Sequence, residues 1–211
     1  MDQNVIVFGA SGKTGIEICK KLADAQINHI AFVRKGSGFI EKTRYTEIKY
    51  GNVLDKTNVE NILKSKKFTD IIIALGSRDL KTTTIRAVGT QNITEALTKL
   101  SLTSKLHIVS ALGVGESWVQ LTWVNKLLCK LLIRNAMIDH ENQEKTVINS
   151  NQQFHIIRPV GLKDGEATGK VLVQPEGFLP FNDIRRSDVA QYLVDCMLNE
   201  YTGFSSICRA K

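Results

Sequence analysis

The stretch that decides the fold is Val5-Ile6-Val7-Phe8-Gly9-Ala10-Ser11-Gly12-Lys13-Thr14-Gly15. Four apolar residues of the β type run into a loop with glycines at positions 9, 12 and 15, and apolar residues at helical spacing follow from Ile16. In such a strand–loop–helix, the first glycine allows a tight turn and the second lets the backbone approach a pyrophosphate. The third lets the helix pack against the strand. Because the N–H groups of the first helical turn face the anion, the motif predicts a dinucleotide-binding site.

The spacing of this loop separates it from two better-known glycine motifs. It is G-x-x-G-x-x-G, one residue longer in its first gap than the G-x-G-x-x-G of dehydrogenases. Gly12-Lys13-Thr14 resembles the end of a Walker A loop, but that motif needs a glycine where this chain has Val7. We therefore expect a dinucleotide site and not a P-loop.

The composition is that of an ordinary globular protein. The 211 residues, 43% hydrophobic and 23% charged, suit one domain spanning residues 1–211. Four scattered cysteines predict reduced thiols and a cytoplasmic location, and we expect neither a signal peptide nor a transmembrane helix. The net charge of +7 is spread along the chain, so we expect no nucleic-acid partner; it suits a polyanionic cofactor.

Strand and helix patterns alternate beyond the glycine loop. We predict strands at 28–34, 47–50, 70–75, 105–110 and 154–159, with helices between them and a final strand at 204–208. The run Asp70–Leu75 is almost continuously apolar, as a parallel strand covered on both faces requires. The fold class is therefore α/β, a single doubly wound parallel-sheet (Rossmann) domain with helices on both faces.

Polar and small residues follow several of these strands, and open α/β sheets bind ligands at that edge. Arg34 and Lys35 follow the second strand, where an NAD site usually has an acidic residue, so we expect NADP(H) with its 2′-phosphate. Asn52 is placed to hydrogen-bond adenine. Gly76-Ser77-Arg78 and Ser110 end the fourth and fifth strands.

These stretches, together with Val109-Ser110-Ala111, Asp139-His140-Glu141, Glu144-Lys145, Ile157-Arg158-Pro159 and residues 184–190, resemble a known family. The chain resembles atypical short-chain dehydrogenases/reductases of the NAD(P)-binding, NmrA-like type, and is similar to biliverdin reductase B-type flavin reductases. Two positions depart from the flavin reductase pattern. Gly38 replaces a second arginine, for which Lys35 is a substitute, and Gly161 replaces a histidine.

The motif and the resemblance together imply a cofactor site that runs along the sheet edge. Residues 11–14 would contact the pyrophosphate, Arg34 the 2′-phosphate, Asn52 and Val53 the adenine, and 76–78 the central phosphate–ribose region. Ser110, Lys145 and the 159–160 backbone would lie at the nicotinamide and its ribose. The expected cofactor-binding residues are Gly9, Ser11, Gly12, Lys13, Thr14, Gly15, Arg34, Lys35, Asn52, Val53, Leu75, Gly76, Ser77, Arg78, Ser110, Lys145, Pro159 and Val160.

The usual acid of short-chain dehydrogenases is missing. Those enzymes place Tyr-x-x-x-Lys on the helix after the fifth strand, where lysine lowers the tyrosine pKa. Residues 117–150 contain no tyrosine, and Tyr45-Thr46-Glu47-Ile48-Lys49 enters a predicted strand that holds the two groups apart. Ser110 and His140 are therefore the candidate catalytic residues, the first to orient the nicotinamide or acceptor and the second to relay a proton.

Two further segments leave alternatives open. Trp118–Arg134 is an apolar, mildly basic, helix-like stretch: a helix packed on the domain or a dimer partner, a flap over a flat aromatic acceptor, or an interfacial membrane helix. Residues 111–135 and 160–185 are the expected substrate or flap region. His140-Glu141-Asn142-Gln143-Glu144 lacks the second histidine of H-E-x-x-H, so no metal site is expected. Ser187 is a predicted helix N-cap.

The sequence thus favours an NADPH-dependent oxidoreductase that transfers hydride directly to a small planar acceptor such as a flavin or quinone. The alternative is a non-catalytic NADP(H)-binding redox sensor or regulator that acts through a protein partner. A homodimer is also left open.

Overall fold

Strands and helices alternate along the chain in the computed structural model, which describes residues 3–39, 42–77, 84–174, 177–179 and 183–210. The strands are β1 Val5–Phe8, β2 His29–Val33, β3 Thr46–Tyr50, β4 Asp70–Ile73, β5 Lys105–Val109, β6 Phe154–Pro159, β7 Leu162–Lys163, β8 Val171–Val173, β9 Ile184–Arg185 and β10 Gly203–Arg209. The helices are α1 Lys13–Asp24, α2 Lys56–Ser65, α3 Ile85–Lys99, α4 Trp123–Leu132, α5 Arg134–Ile148 and α6 Arg186–Leu198, with a short 3₁₀ helix at Gly115–Gln120.

Eight of the strands form one sheet in the order β3-β2-β1-β4-β5-β6-β10-β8. The pairs from β3 to β10 are parallel, and β8 is antiparallel to β10. The chain winds outward from β1 to β3 and then outward again from β4 to β6, so the winding direction reverses between β1 and β4. Ligands of open α/β sheets bind at this reversal, beyond the carboxyl ends of the strands. The predicted doubly wound fold is confirmed.

The central strands are apolar because helices cover both of their faces. Every residue of β1 and β4 is buried. Alternate residues of β1 point to opposite sides: Val5 and Val7 join a cluster with residues of α1 and α6, whereas Ile6 and Phe8 join one with residues of α2 and α3. The sheet therefore has one apolar core on each face.

The glycine loop is held by close contacts between backbones. Gly9 has a φ of +84°, and a β-carbon on it would lie 2.4 Å from the carbonyl oxygen of Ala74. A β-carbon on Gly15 would lie 2.1 Å from the carbonyl oxygen of Gly9. Both distances are far below van der Waals contact, so the loop fixes the start of α1 against the ends of β1 and β4.

Two expected local structures are different in the fold. The stretch Trp118–Arg134 is divided, because the chain leaves the 3₁₀ helix at Leu121 and α4 begins anew after Thr122. The side-chain oxygen of Thr122 accepts a hydrogen bond from the N–H of Asn125 at 3.1 Å. The prediction of Ser187 as an N-cap is wrong, since α6 begins at Arg186 and the Ser187 hydroxyl donates to the Gly165 carbonyl at 2.8 Å.

Buried polar side chains on neighbouring strands form hydrogen bonds with one another across the sheet. His107 Nε2 lies 2.9 Å from an Asp70 carboxylate oxygen, and His155 Nε2 lies 2.9 Å from Ser205 Oγ. Tyr192 donates to the same Ser205 oxygen at 2.9 Å. Burial, followed by the nearby His107 and Lys105, lowers the pKa of His155 to about 3, so this ring is neutral at pH 7.

Gly15→Ala is expected to lower the free energy of unfolding by about 3 kcal/mol, because the added methyl overlaps fixed backbone atoms. Urea titration of the purified variant measures the change. Gly161→Ala is the matched control: a β-carbon at Gly161 meets no described atom within 4 Å, so we expect a change within about 0.5 kcal/mol. Equal effects of the two substitutions would contradict the packing described for the loop.

Acid is expected to destabilise the fold through His155. Its folded-state pKa lies below the ordinary value of 6.5, so only the unfolded chain takes up the proton, and stability falls as the pH drops from 6.5 toward 3. At pH 5 this histidine alone should reduce the free energy of unfolding by about 2 kcal/mol relative to pH 7. His155→Gln retains a donor for Ser205 and should remove that part of the pH dependence. Identical pH profiles for both proteins would contradict the assignment.

Candidate functional site

The loops that follow the parallel strands lie together at the carboxyl edge of the sheet, and the start of α1 is their centre. Gly12 is the N-cap of α1 and has no side chain with which to cap it, and no acidic residue lies in the first turn. The first helical bond is from Ile16 N to Gly12 O at 2.8 Å, so the N–H groups of residues 13–15 have no partner within the helix. Gly12 is exposed, and Ser11 and Thr14 are half-buried. This opening fits a pyrophosphate.

Two cations stand beside this opening at the end of β2. Arg34 and Lys35 are both exposed, and a turn closed by Ser37 N and Arg34 O at 3.0 Å follows them. Within the described ranges, neither cation is paired with a carboxylate. The pair is therefore available to an anion of the cofactor, as a 2′-phosphate would require.

The loop after β3 is held in place by hydrogen bonds. Asn52 is exposed, its side-chain oxygen accepts from Leu54 N at 3.1 Å, and its backbone N–H donates to Asn58 Oδ1 at 3.1 Å. Val53 is buried, and its carbonyl accepts a hydrogen bond of 2.9 Å from Asn92 Nδ2 on α3. These bonds hold the predicted adenine contacts at the sheet edge.

The loop after β4 places a further glycine, Gly76, at the same edge of the sheet. Leu75 is buried against α3, where a β-carbon on Gly89 would lie 2.6 Å from the Leu75 side chain. Gly76 is exposed and Ser77 half-buried at the edge itself. Arg78, the remaining expected contact of this loop, lies outside the described residues.

Ser110, directly after β5, is part of a buried charged cluster that the sequence did not reveal. Its hydroxyl donates to Glu144 Oε1 at 2.5 Å. Arg158, on β6, donates to the two oxygens of the same carboxylate at 3.1 and 2.6 Å. All three side chains are buried. Ser110 is thus fixed in one orientation by an ion pair beneath it.

Arg158 is also held from two other sides. A carboxylate oxygen of Glu116 lies 3.1 Å from its guanidinium, which stacks on the Phe204 ring at 4.3 Å from the centroid. Burial lowers the pKa of Arg158, but the hydrogen bonds and charges of Glu144 and Glu116 outweigh it and raise the pKa above its usual value. The available signal was an arginine inside the apolar run 156–160, since a cation there needs a buried counter-charge.

His140 lies on the helix α5 that also bears Glu144. It is half-buried, and its Nδ1 has no hydrogen-bond partner within the described part of the chain. Burial, followed by the charge of Arg86, lowers its pKa to about 3, so its ring is neutral at pH 7. Arg86 is paired with Asp139 at 3.1 Å, and Asp139 also accepts from Ala87 N at 2.9 Å at the start of α3.

Two other expected cofactor-binding residues form ion pairs within the protein. Lys13 Nζ lies 2.6 Å from an Asp164 carboxylate oxygen, and Arg186 pairs with the same carboxylate. Lys145 pairs with Glu141 at 2.8 Å on the exposed face of α5.

Backbone groups at the end of β6 also form hydrogen bonds within the protein. The Pro159 carbonyl accepts from Leu112 N at 2.9 Å, and Val160 N donates to Ile207 O at 3.1 Å. The structure therefore brings together the glycine loop, the ends of β2 to β5 and Ser110, and leaves Lys145 on the helix surface.

Comparison with known proteins identifies the family of this chain. A family described as NAD(P)H-binding matches residues 9–200. An uncharacterised chloroplastic protein of Arabidopsis thaliana is 26% identical over 217 residues, covering 97% of this chain and 75% of that protein. No helix within the described residues combines the length and apolar character that a bilayer crossing requires.

Two solved structures show the same fold at low sequence identity. ChuY, an anaerobilin reductase from Escherichia coli O157:H7, is 20% identical with a TM-score of 0.80, over 99% of this chain and 98% of that one. A short-chain dehydrogenase/reductase from Veillonella parvula, crystallised with NADP, is 14% identical with a TM-score of 0.79, over 98% and 94%. With the family match over most of its length, the chain belongs to the NAD(P)H-binding proteins.

Proposed function

We propose that this protein is an NADPH-dependent reductase that passes hydride directly to a small planar acceptor such as a flavin or quinone. The observation that carries the proposal is that the open start of α1 and Ser110 share one sheet edge, while residues 117–150 contain no tyrosine acid. Such a site can bind and orient a nicotinamide without the tyrosine that protonates a carbonyl oxygen in ordinary short-chain dehydrogenases.

The preference for NADPH rests on charge. Arg34 and Lys35 are exposed beyond β2, and the described residues 34–39 include no carboxylate that could accept the ribose hydroxyls of NAD. A guanidinium forms charge-assisted, bidentate hydrogen bonds with a phosphate. Lys35 takes the place of the second cation that is absent at Gly38. The NADP-bound relative from Veillonella parvula is consistent with this choice.

Bound NADPH supplies the hydride, and the residues of this chain bind it, orient it and limit the access of water. The N–H groups at the start of α1 hold the pyrophosphate, and Asn52 and Val53 hold the adenine. Ser110 positions the nicotinamide or the acceptor through its oxygen lone pairs, because its proton is directed to Glu144. His140 is neutral at pH 7, so it contributes a hydrogen bond in a relay whose proton comes from solvent.

A flat acceptor suits the surroundings of Ser110. The strands on either side of β5 end near Gly76 and Gly161, two exposed residues with no side chain. Among the described residues, a β-carbon on Gly161 would meet no atom within 4 Å, and one on Gly76 would meet Arg86 at 3.7 Å. This leaves room for a ring system on the nicotinamide side. Residues 111–135 and 160–185 are the segments that we assign to the acceptor side of the site.

Arg34→Ala is expected to weaken NADPH binding by about 10- to 100-fold, the cost of a lost charged hydrogen-bond pair. Binding of NADH, which has no 2′-phosphate, should change by about twofold at most. Calorimetric titration of both cofactors measures this. Arg44→Ala, an equivalent loss of an exposed arginine before β3 at the opposite sheet edge, is the control and should leave both affinities unchanged. Equal weakening of NADPH and NADH by Arg34→Ala would contradict the 2′-phosphate role.

Stopped-flow mixing of the protein–NADPH complex with excess FMN or a small quinone is expected to show rapid loss of absorbance at 340 nm. Ser110→Ala should slow this oxidation by about 10-fold or more, as the loss of a positioning hydrogen bond does. Ser104→Ala removes a buried hydroxyl at the other end of β5 and is the matched control, expected to retain the wild-type rate.

Tight NADPH binding with no oxidation above the protein-free rate would overturn the reductase proposal. That result, together with a protein partner whose affinity depends on bound NADPH, would instead support the sensor.

A further inference from the structure

The helix α4 has its apolar side turned toward solvent. In an ordinary surface helix the apolar stripe faces the core and the polar side faces water. Here Trp123, Leu131 and Leu132 are 77, 71 and 70% exposed, whereas the buried residue of the helix is Asn125. The helix is therefore amphipathic, but its apolar side faces solvent instead of the core.

This orientation is fixed by contacts on the inner side of the helix. Leu121, just before α4, is buried in the core, and the half-buried Cys129 packs against the same core cluster. The Thr122 side chain caps the helix through Asn125 N at 3.1 Å. Because residues 125 and 129 are one turn apart, they lie on one side and hold the opposite side outward.

The exposed side is a continuous apolar surface, which we call the α4 face. It consists of two rows at one-turn spacing, and with 100° between successive residues the rows cover about half of the helix circumference. Its members are Trp123, Leu127 and Leu131 in one row and Val124, Leu128 and Leu132 in the other, each at least 44% exposed.

Cations border this face, and the segment of the chain that bears it contains no acidic residue. Residues 117–138 contain Lys126, Lys130 and Arg134 but no aspartate or glutamate. The ammonium groups of Lys126 and Lys130 lie 6.0 and 5.8 Å from the centroid of the Trp118 ring, so both lysines lie on one side of the helix, next to the α4 face. The protein as a whole carries a net charge of +7.

We propose that the α4 face binds the surface of an anionic lipid bilayer. The helix lies parallel to the membrane plane, its leucines and Trp123 enter the boundary between headgroups and acyl chains, and the bordering lysines and Arg134 meet the lipid phosphates. An apolar face beside cationic residues, on a helix with no counter-charge, is the composition that binds in this way. Lysine stems cover apolar surface while their ammonium groups reach the headgroups.

The same charges disfavour a second copy of this chain as the occupant. In a two-fold symmetric dimer each face meets itself, so the lysines of one face would approach those of the other. The stretch 117–138 offers no carboxylate to compensate them. An anionic lipid surface supplies that charge, and the proposal is independent of whether NADPH is oxidised.

Sedimentation with vesicles tests the proposal. We expect the 211-residue chain to bind vesicles of phosphatidylcholine mixed with phosphatidylglycerol, to bind pure phosphatidylcholine vesicles weakly, and to be released by high salt. Leu131→Glu should reduce the partition coefficient by about 30-fold or more, because it loses apolar contact and adds a repelled charge. Leu198→Glu, at an exposed leucine at the end of α6, is the matched control and should bind like the wild type.

A second pair of variants isolates the charge. Replacing Lys126 and Lys130 together by glutamine should reduce binding to the anionic vesicles by about 25-fold, about fivefold per lysine. The same double change at the exposed Lys66 and Lys67 is the control for net charge alone. Trp123 provides a direct signal: its fluorescence should shift to shorter wavelength with vesicles, and Trp123→Phe should abolish that shift.

Equal vesicle binding by the wild type, Leu131→Glu and Leu198→Glu would overturn the proposal, as would equal loss of binding in both double-lysine variants. Absence of wild-type binding to the anionic vesicles would overturn it as well. A dimer in solution that Leu131→Glu converts to a monomer, without any vesicle binding, would assign the α4 face to a second copy. Unchanged thermal melting and NADPH affinity of the variants would show that they are folded.

Discussion

The contact between the Gly15 backbone and the Gly9 carbonyl is the constraint on which the arrangement of the sheet edge depends. A β-carbon at either glycine would overlap a backbone atom, at 2.1 Å for Gly15 and 2.4 Å for Gly9. The start of α1 is therefore set between the ends of β1 and β4, where the winding of the sheet reverses. The N–H groups of that helix are the positive end of its dipole, and they face the edge at which the other loops also end.

The fold could be predicted because its main signals are local. A parallel strand covered on both faces is apolar throughout, as in β4, and a helix between strands has a 3.6-residue period, as in α1. Because parallel strands end at one edge, the order of the elements also predicted that Arg34, Asn52 and Ser110 would follow strands at the same edge. The family match confirms NAD(P)H binding, whereas the roles of individual site residues remain predictions.

The charged cluster around Ser110 could not be predicted, because its members are brought together only by the tertiary fold. Glu144 and Arg158 are 14 residues apart on α5 and β6, and each appears ordinary in its own segment. Removing Arg158 would leave Glu144 as a buried carboxylate without its counter-charge, which is far more destabilising than the loss of a surface pair. The same tertiary effect sets His140: its sequence position suggests a proton donor, but burial and Arg86 keep its ring neutral.

In helix α4, sequence periodicity predicts that the helix is amphipathic but does not predict which way its apolar side faces. The spacing of its leucines shows that the helix is amphipathic, but the direction of the apolar side depends on which residues the rest of the chain can bury. Leu121 and Cys129 pack against the core, which places Asn125 inside and Trp123 outside. Burying the six apolar residues instead would require a rotation that turns Asn125 and Cys129 out to solvent. Because the described residues cover the inner side of the helix and leave its outer side exposed, the α4 face has the properties of an interaction surface.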